Sequence, residues 1–406
     1  MDALVISVKG SSWIRGLPFL LALVLFVLPL SSTAKSISLG LALLAILMTK
    51  GFRSEFSRLL EKGWCKAALL LFALAILSSL WSPASYSERL FIIEKYSKLL
   101  YLPILVIGFR EIKARTLGLN AFLASMFITS MLAILLAKGF LPFLNMNPDN
   151  LFRNHIMVGY MLDFAAFTTA LFAWQQRGFK CLAYSLLFCL FSYHVLFVNA
   201  GRMGYLVYFL SMLLLVVQIF SWRKALLALI FLIASFIFIY NQNSFMKERI
   251  QLLQTQYARY QQHDGDNSVG FRLQFHAYAH ELFNRHPLIG NGTSSFLYYF
   301  NKENPSPGWG HSLLEPHSQY WLIASEFGLV GLMALLAFYL TLLKASCNLD
   351  KMRPLALAML LSLVVGNLSD SLLLYSGSGY FFILMMAVCL AEEDSLFKEL
   401  RVKNQV

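Results

Sequence analysis

His317 is the residue whose surroundings best suit proton transfer, since it lies in the run Glu315-Pro316-His317-Ser318-Gln319 ahead of a long apolar stretch. Histidine is the side chain that titrates nearest to neutral pH. Proline is favoured at the first position of a helix, so we expect His317 in the first turn of the apolar helix that follows. The positive end of that helix disfavours imidazolium and favours the neutral ring that a general base needs. The alternative is a histidine that only caps or anchors the helix.

Two arginines are candidates for binding a phosphate group, because a guanidinium donates paired, charge-assisted hydrogen bonds to such an anion. Arg202 stands between two apolar segments with almost no connecting loop, and a charge so close to hydrocarbon is costly unless it has a function. Arg272 opens a helix-like stretch. An arginine that merely faces solvent or lipid headgroups would explain this position nearly as well as one that binds phosphate. Asp370 follows a later apolar segment and could pair with an arginine or orient His317.

The composition places these residues in an all-α membrane protein. The chain has 406 residues, of which 58% are hydrophobic and only 13% are charged, whereas soluble domains carry about 25% charged residues. A soluble domain and a disordered chain are therefore excluded. Apolar runs as long as 225–240 also differ from the alternating strands, roughly ten residues each, of a membrane β-barrel. We expect a polytopic α-helical protein.

Twelve apolar segments are candidate transmembrane helices, because a spanning helix needs about 20 mostly apolar residues and a bundle tolerates shorter ones. They centre on 17–31, 36–50, 65–81, 97–109, 117–137, 155–174, 181–199, 203–220, 224–240, 318–343, 354–370 and 377–391. We therefore expect nine spans within residues 1–240, a large and partly helical loop over 241–316, three spans within 317–391, and a tail over 392–406.

The basic residues orient these spans. The net charge of +12 could indicate binding to nucleic acid, but lysine and arginine collect in the cytoplasmic loops of membrane proteins, which explains the charge better. Most of them fall on one side of the twelve-span topology, and that side includes both termini. We therefore predict cytoplasmic termini, with the loop 241–316 and the candidate residues on the opposite side.

Polar sequence on that opposite side is concentrated in two segments. The shorter one contains Arg153, and His155 begins the span that follows. The longer one, 241–316, includes two helix-like stretches, 244–262 and 270–284. A loop of that length is uncommon in a compact fold and is usually functional.

All eight histidines fall on or near this side, among them His311 in the long loop. Such clustering favours a shared role in proton transfer, although the length of the loop alone could produce it. His276 and His280 have the i, i+4 spacing of two metal ligands on one helical face, but they lack an HExxH motif and a partner cysteine. None of the five cysteines has CxxC spacing, so we predict neither a metal site nor a disulfide framework.

Several of these residues fall in motifs that resemble those of one family. His317 and Ser318 are followed by nine residues and then by Gly328-x-x-Gly331. The other motifs are Arg202-x3-Leu206, an arginine at the start of a loop helix (Arg272), Pro287-x-x-Gly290-x-Gly292 and Leu368-Ser369-Asp370. With the twelve spans and the long late loop, they make the chain similar to the O-antigen ligase and polymerase superfamily of bacterial inner-membrane glycosyltransferases.

The resemblance implies a reaction and a site. The donor would be an O-antigen glycan on undecaprenyl diphosphate, and the acceptor would be the lipid A–core oligosaccharide. His317 would act as the general base, with Arg202 and Arg272 on the diphosphate. The site would face the periplasm from the inner membrane, with membrane lipids but no nucleic acid as partners, and with neither a cofactor nor a metal. Further candidate substrate contacts are Asp370, Arg153, His155 and His311.

Two other functions remain open at this point. Polymerases of the same superfamily share the fold and similar arginines, so an O-antigen polymerase is the nearest alternative to a ligase. A transporter of lipid-linked sugars also needs many spans and basic residues. Transporters, however, commonly place charged residues near the membrane midplane and contain repeats, whereas here the polar residues collect on one side and no repeat is evident.

Overall fold

The computed structural model describes residues 12–141, 146–262 and 264–403, and these ranges contain α-helices but no β-strand. His263, one of the eight histidines, lies outside the described residues. The helices are α1 (Ser12–Val27), α2 (Ser32–Leu47), α3 (Phe52–Leu60), α4 (Gly63–Leu77), α5 (Tyr86–Gly108), α6 (Ile112–Ala137), α7 (His155–Gln175), α8 (Gly178–Phe197), α9 (Arg202–Ile219), α10 (Trp222–Gln242), α11 (Ser244–Gln261), α12 (Ser268–Arg285), α13 (Ser295–Glu303), α14 (Gln319–Cys347), α15 (Arg353–Gly366) and α16 (Ser376–Lys403). The expectation of a helical protein is confirmed over these ranges.

All twelve candidate segments fall on helices, and seven helices in the described part of the chain are long and apolar enough to cross a membrane. These seven are α4, α6 to α10, and α14. An eighth arises if α2 and α3, which meet at a bend of 101°, form one span. α1 and α15 are apolar but shorter, and α5 carries charges at Glu94, Lys95 and Lys98, near its middle. The chain is thus polytopic, while the number twelve stays a prediction.

The described residues of the long segment 241–316 form three α-helices, where the sequence predicts two helix-like stretches. α11 and α12 lie where the sequence predicts helices, at 244–262 and 270–284. α13 was not predicted, because it is only nine residues long and its flanks, Ser294 and Asn304, both have positive φ angles. The treatment of this segment as a domain of its own stays a prediction.

Burial distinguishes helices of similar composition. α7 packs against α8, α9 and α15, and 72% of its apolar 18-residue stretch is buried inside the protein. None of the corresponding stretch of α10 is buried, although α10 is the more apolar of the two helices. Lipid tails are as apolar as a protein interior, so hydropathy alone cannot rank them. α7 therefore lies inside the bundle and α10 at its surface.

One helix is broken where a second segment lies against it, and we call residues 287–292 and 325–330 the backbone junction. α14 has non-helical angles at Gly328 (φ 63°, ψ −155°). Hydrogen bonds of 2.8–3.1 Å run from the amides of Asn291, Gly292, Leu329 and Val330 to the carbonyls of Ser325, Glu326, Pro287 and Leu288, respectively. The break frees backbone groups, and these hydrogen bonds satisfy them, as an apolar surrounding requires.

Glycines at two positions permit this close approach. A Cβ atom at Gly290, whose φ is +69°, would lie 2.3 Å from the carbonyl oxygen of Glu326. A Cβ atom at Gly328 would lie 2.5 Å from the carbonyl oxygen of Leu288. Both neighbours are backbone atoms, and only glycine adopts these angles without strain. The Pro-x-x-Gly-x-Gly and Gly-x-x-Gly motifs therefore form the two sides of one structural feature.

The connector between α15 and α16 has an irregular backbone that buried side chains hold in place. Lys98, on α5, donates hydrogen bonds from Nζ to the carbonyls of Leu373, Leu374 and Tyr375 over 2.8–3.0 Å. The carbonyl of Asn367 accepts a hydrogen bond of 3.1 Å from the first amide of α14. The connector is thereby fixed between α5 and α14.

Candidate active site

His317 lies two residues before α14, and the prediction that it occupies the first turn is wrong. α14 begins at Gln319 with Ser318 as its N-cap, and His317 has a left-handed backbone conformation with φ of 55°. The proline rule fails because tertiary contacts decide where the helix begins: the amide of Gln319 donates to the carbonyl of Asn367. Because His317 lies outside α14, its ring is governed by the side chains that surround it and not by the positive end of the helix.

Two buried carboxylates face one nitrogen of the His317 ring. Nδ1 lies 3.2 Å from Oε1 of Glu315 and 3.5 Å from Oδ1 of Asp370. Because a carboxylate only accepts hydrogen bonds, Nδ1 carries the proton in this arrangement, and the lone pair of the neutral ring is on Nε2. Among the described residues Nε2 has no hydrogen-bond partner. The ring also packs on Phe275, with centroids 6.0 Å apart. The tautomer with the proton on Nδ1 and the lone pair on Nε2 is the one that a general base requires.

Glu315 was not selected from the sequence, although its carboxylate is the closer of the two to the histidine. It is 1% exposed and accepts hydrogen bonds from Oγ of Ser371 at 2.5 Å and from Oη of Tyr375 at 2.7 Å. Burial and the nearby charge of Glu315 raise the pKa of Tyr375, which keeps the phenol a donor. No local motif signals this contact, since the two donors lie 56 and 60 residues further along the chain.

The arginines line a cavity of about 340 Å³ beside this cluster. Arg202 is the first residue of α9, and its guanidinium donates to Oγ of Ser268 (3.1 Å) and Oε1 of Gln256 (3.5 Å). Arg272 lines the cavity from the second turn of α12. Arg249, on α11, is a third arginine in the wall, and no motif in the sequence marks it. With three guanidinium groups and one carboxylate among its lining residues, the cavity suits an anion.

Asp370 is that carboxylate, and it joins the cavity to the histidine. Its Oδ1 lies 4.0 Å from Nη2 of Arg272 and 3.5 Å from Nδ1 of His317. Only 3% of its side chain is exposed, and it is carried by the connector that Lys98 holds. The structure thus brings together four predicted site residues that are far apart in the sequence: Arg202, Arg272, His317 and Asp370.

The other three predicted site residues lie in different places. His155 begins α7 and lines the same cavity as the arginines. Arg153 donates hydrogen bonds to the carbonyl of Leu28, just after α1, and to Oγ of Ser32, the first residue of α2, and it is not among the residues that line the cavity. His311 is exposed and lies edge-on against Trp309, also outside that lining. Substrate contacts by these residues stay predictions, and the cavity favours His155.

His276 and His280 do not converge on one centre. Nε2 of His276 lies 3.3 Å from the carbonyl oxygen of His317, whereas His280 lies beside Asn284 and Trp321. Burial lowers the pKa of His276, which favours a neutral ring that donates to this carbonyl. Within the part of the chain that the structure describes, no three His, Cys, Asp or Glu side chains are grouped so that they could hold a metal ion.

The sequence also matches a known protein family. A family model described as O-Antigen ligase matches residues 186–336. The matched range runs from α8 into α14, and it contains Arg202, Arg272 and His317 together with the backbone junction. Asp370 lies beyond it. No curated protein gives a significant match to the chain.

Proposed function

We propose that this chain, a member of the O-antigen ligase and polymerase superfamily by its residues 186–336, is an O-antigen ligase. It transfers the O-antigen glycan from undecaprenyl diphosphate to the lipid A–core oligosaccharide, at a site that faces the periplasm from a bacterial inner membrane. The observation that carries the proposal is the position of Asp370 between the arginine-lined cavity and His317. An anion site next to a base is what moving a sugar from a diphosphate to a hydroxyl requires.

A lipid-linked diphosphate donor fits both the compartment and the cavity. The periplasm offers no nucleotide sugars, so the sugar must arrive already activated. Negative charge grows on the diphosphate as its bond to the anomeric carbon breaks. Arg202 and Arg272, with Arg249 beside them, are preorganised to stabilise that charge, and these cations make the proposed mechanism metal-independent. At comparable sites the loss of one such donor costs about 100- to 1000-fold in rate.

His317 supplies the base for the acceptor. Nε2 takes the proton of the acceptor hydroxyl while the hydroxyl oxygen attacks the anomeric carbon. The electron pair of the breaking bond leaves with the diphosphate, and the proton stays on the imidazole. Such general-base assistance contributes roughly 100- to 10,000-fold in rate. Because the reaction is a single displacement, it inverts the anomeric centre.

An O-antigen polymerase could use the same two groups, with the sugar of a second lipid-linked chain as the acceptor. We favour the ligase because of the motif that starts at His317. The ligases of the family carry a histidine, then Asn, Ser or Gln, then nine residues and Gly-x-x-Gly, and this chain matches that motif in full. The acceptor, not the donor, therefore distinguishes the two enzymes.

The deciding experiment is a deletion strain whose lipopolysaccharide profile and undecaprenyl-linked glycans are both measured. A ligase predicts core without O-chains and full-length polymer accumulating on undecaprenyl. Core capped by a single repeat unit would identify a polymerase instead. Unflipped single units on the cytoplasmic leaflet would identify a transporter.

The mechanism is tested in the same strain by plasmid-borne variants. His317→Ala should abolish transfer while the protein is still produced in the membrane at the wild-type level. His280→Ala is the matched control, because this histidine lies on α12 outside the cavity, and we expect it to restore full transfer. Full activity of His317→Ala would refute the assignment of the base.

A further inference from the structure

We propose that Glu315 is the residue that positions the His317 ring and balances the charge it acquires, a role that Asp370 does not share equally. The proposal rests on the proposed function, because it concerns the proton transfer in that site. The motif that begins at His317 does not include Glu315, and its role is inferred from its contacts alone.

Both oxygens of Glu315 are fixed by neighbours. Oε1 lies 3.2 Å from Nδ1 of His317 and also accepts the hydroxyl of Tyr375, while Oε2 accepts the hydroxyl of Ser371. Rotation of this buried carboxylate would leave two hydroxyl groups without their acceptor, which is costly inside a protein. Glu315 therefore presents a fixed acceptor to the imidazole.

Asp370 is bound in a different way. Its Oδ1 is divided between Nδ1 of His317 at 3.5 Å and Nη2 of Arg272 at 4.0 Å, and its Oδ2 accepts the hydroxyl of Ser369 at 3.2 Å. Arg272 belongs to the cavity that the diphosphate occupies in the proposed reaction, so the surroundings of Asp370 change when the donor binds. Glu315 contacts no arginine among the described residues, and its carboxylate serves the histidine throughout.

Two consequences follow for proton transfer. The carboxylate of Glu315, 3.2 Å from Nδ1, favours a proton on that nitrogen and so the tautomer whose lone pair is on Nε2, although the hydrogen bond of Nδ1 is made with Asp370. The negative charge of Glu315 also stabilises the imidazolium that forms when Nε2 takes a proton. The charged and titratable groups that face His317 are Glu315 and Asp370 at the ring, Arg272 behind Asp370, Tyr375 behind Glu315, and His276 at the backbone carbonyl.

The test is the rate of transfer as a function of pH for the purified full-length protein and its Glu315→Gln variant, with lipid-linked donor and lipid A–core acceptor. Because Asp370 and the base itself remain, we expect kcat to fall by about 10- to 100-fold, less than the roughly 100- to 10,000-fold that a general base contributes as a whole. The acidic limb of the profile should move to lower pH, since a charge that favours imidazolium is lost. The KM for the donor should stay unchanged. Glu303→Gln, which removes a carboxylate from α13, is the matched control and should behave as wild type.

A fall in kcat with an unmoved acidic limb would show a merely structural role for Glu315 and overturn the proposal, as would a wild-type kcat. Tyr375→Phe gives an independent measurement if Glu315→Gln does not fold. It loosens the carboxylate but leaves its charge, so we expect a smaller loss, up to about 10-fold, with the acidic limb in place. A wild-type kcat in Tyr375→Phe would also contradict the proposal.

His317→Ala in the same assay distinguishes the two levels of inference. If that variant is active, the proposed base is wrong and the role of Glu315 falls with it. If it is inactive while Glu315→Gln keeps the wild-type rate and profile, the proposed function stands and only the role of Glu315 is refuted.

Discussion

The backbone junction and the surroundings of His317 both involve the first part of α14 and the residues before it, but they are held together by different contacts. At the junction, residues 287–292 and 325–330 pair through amides and carbonyls, and glycine is required because a Cβ atom would collide with backbone. Around His317, carboxylates and arginines from distant segments meet through their side chains. The motif from His317 to Gly331 thus combines a position that requires the absence of a side chain, Gly328, with a position that requires a particular side chain, His317.

This difference teaches how the motif should be interpreted. Its histidine is chemical, whereas Gly328 is structural, because it marks the break in α14 where another segment forms hydrogen bonds. Substitutions at the junction should therefore reduce the amount of folded protein, and substitutions around His317 should reduce the rate of an intact protein.

The largest effect should follow from Gly290→Ala. A left-handed angle and a collision with the backbone of Glu326 each cost about 1–3 kcal/mol, a large part of a marginal stability of about 5–15 kcal/mol. We expect little monodisperse protein on size exclusion in detergent. Gly310→Ala is the control, because its φ is equally positive at +67° but a Cβ atom there meets nothing within 4 Å. Equal yields of the two variants would show that the junction is dispensable.

The second effect should follow from Arg202→Ala and Arg272→Ala. Each removes one guanidinium from the cavity wall, and we expect kcat/KM to fall by about 100- to 1000-fold, or roughly 2.7–4 kcal/mol. The melting temperature should change little, since both side chains serve the cavity. Arg285→Ala, at the far end of α12 and paired with Glu303, should keep the wild-type rate. A loss of folded protein without a loss of rate would show that these arginines stabilise the fold and do not serve the reaction.

A third and smaller effect should follow from Lys98→Met. Methionine fills a similar volume but leaves three carbonyls of the connector without their donor, at a cost of about 1–3 kcal/mol. Because the connector carries Asp370, both the melting temperature and the rate should fall. Lys95→Met is the control, since this lysine is partly exposed and lies over the ring of Phe91. An unchanged melting temperature would show that the connector is held by other contacts.

The smallest effect should follow from Glu303→Gln, which alters an exposed ion pair with Arg285 that belongs to neither region. The hydrogen bonds from Arg285 keep the pKa of Glu303 below its usual value, so this carboxylate stabilises the fold above the unfolded-state pKa, and that stabilisation is lost as pH falls. At neutral pH we expect a loss of about 0.2–1 kcal/mol, as for an exposed ion pair. The difference in melting temperature should shrink below about pH 4.3, the ordinary pKa of glutamate, and a difference that grew in acid would contradict this assignment.

The apolar helices could be predicted from the sequence because a long apolar run indicates a helix that can span a membrane. The start of α14 could not, since the carbonyl of Asn367, in a remote connector, decides it. Arg202 is marked in the sequence because charge so close to an apolar run is rare, and Arg272 because it opens a helix-like stretch of the long loop. Glu315 and Arg249 carry no such local mark. Their importance depends on which segments meet, and that is information about packing, not about pattern.

The backbone junction also makes residues 293–324 a closed loop with tied ends. For a flexible loop the entropy cost of closure grows only with the logarithm of its length, by about 0.6 kcal/mol for each doubling. Extra residues near Gly310, where a side chain would meet open space, would therefore lengthen the loop at small cost and leave its tied ends in place. Glu315 and His317 lie inside this loop, but the connector holds them through Ser371 and Tyr375, so such an insertion should leave the distance between them unchanged.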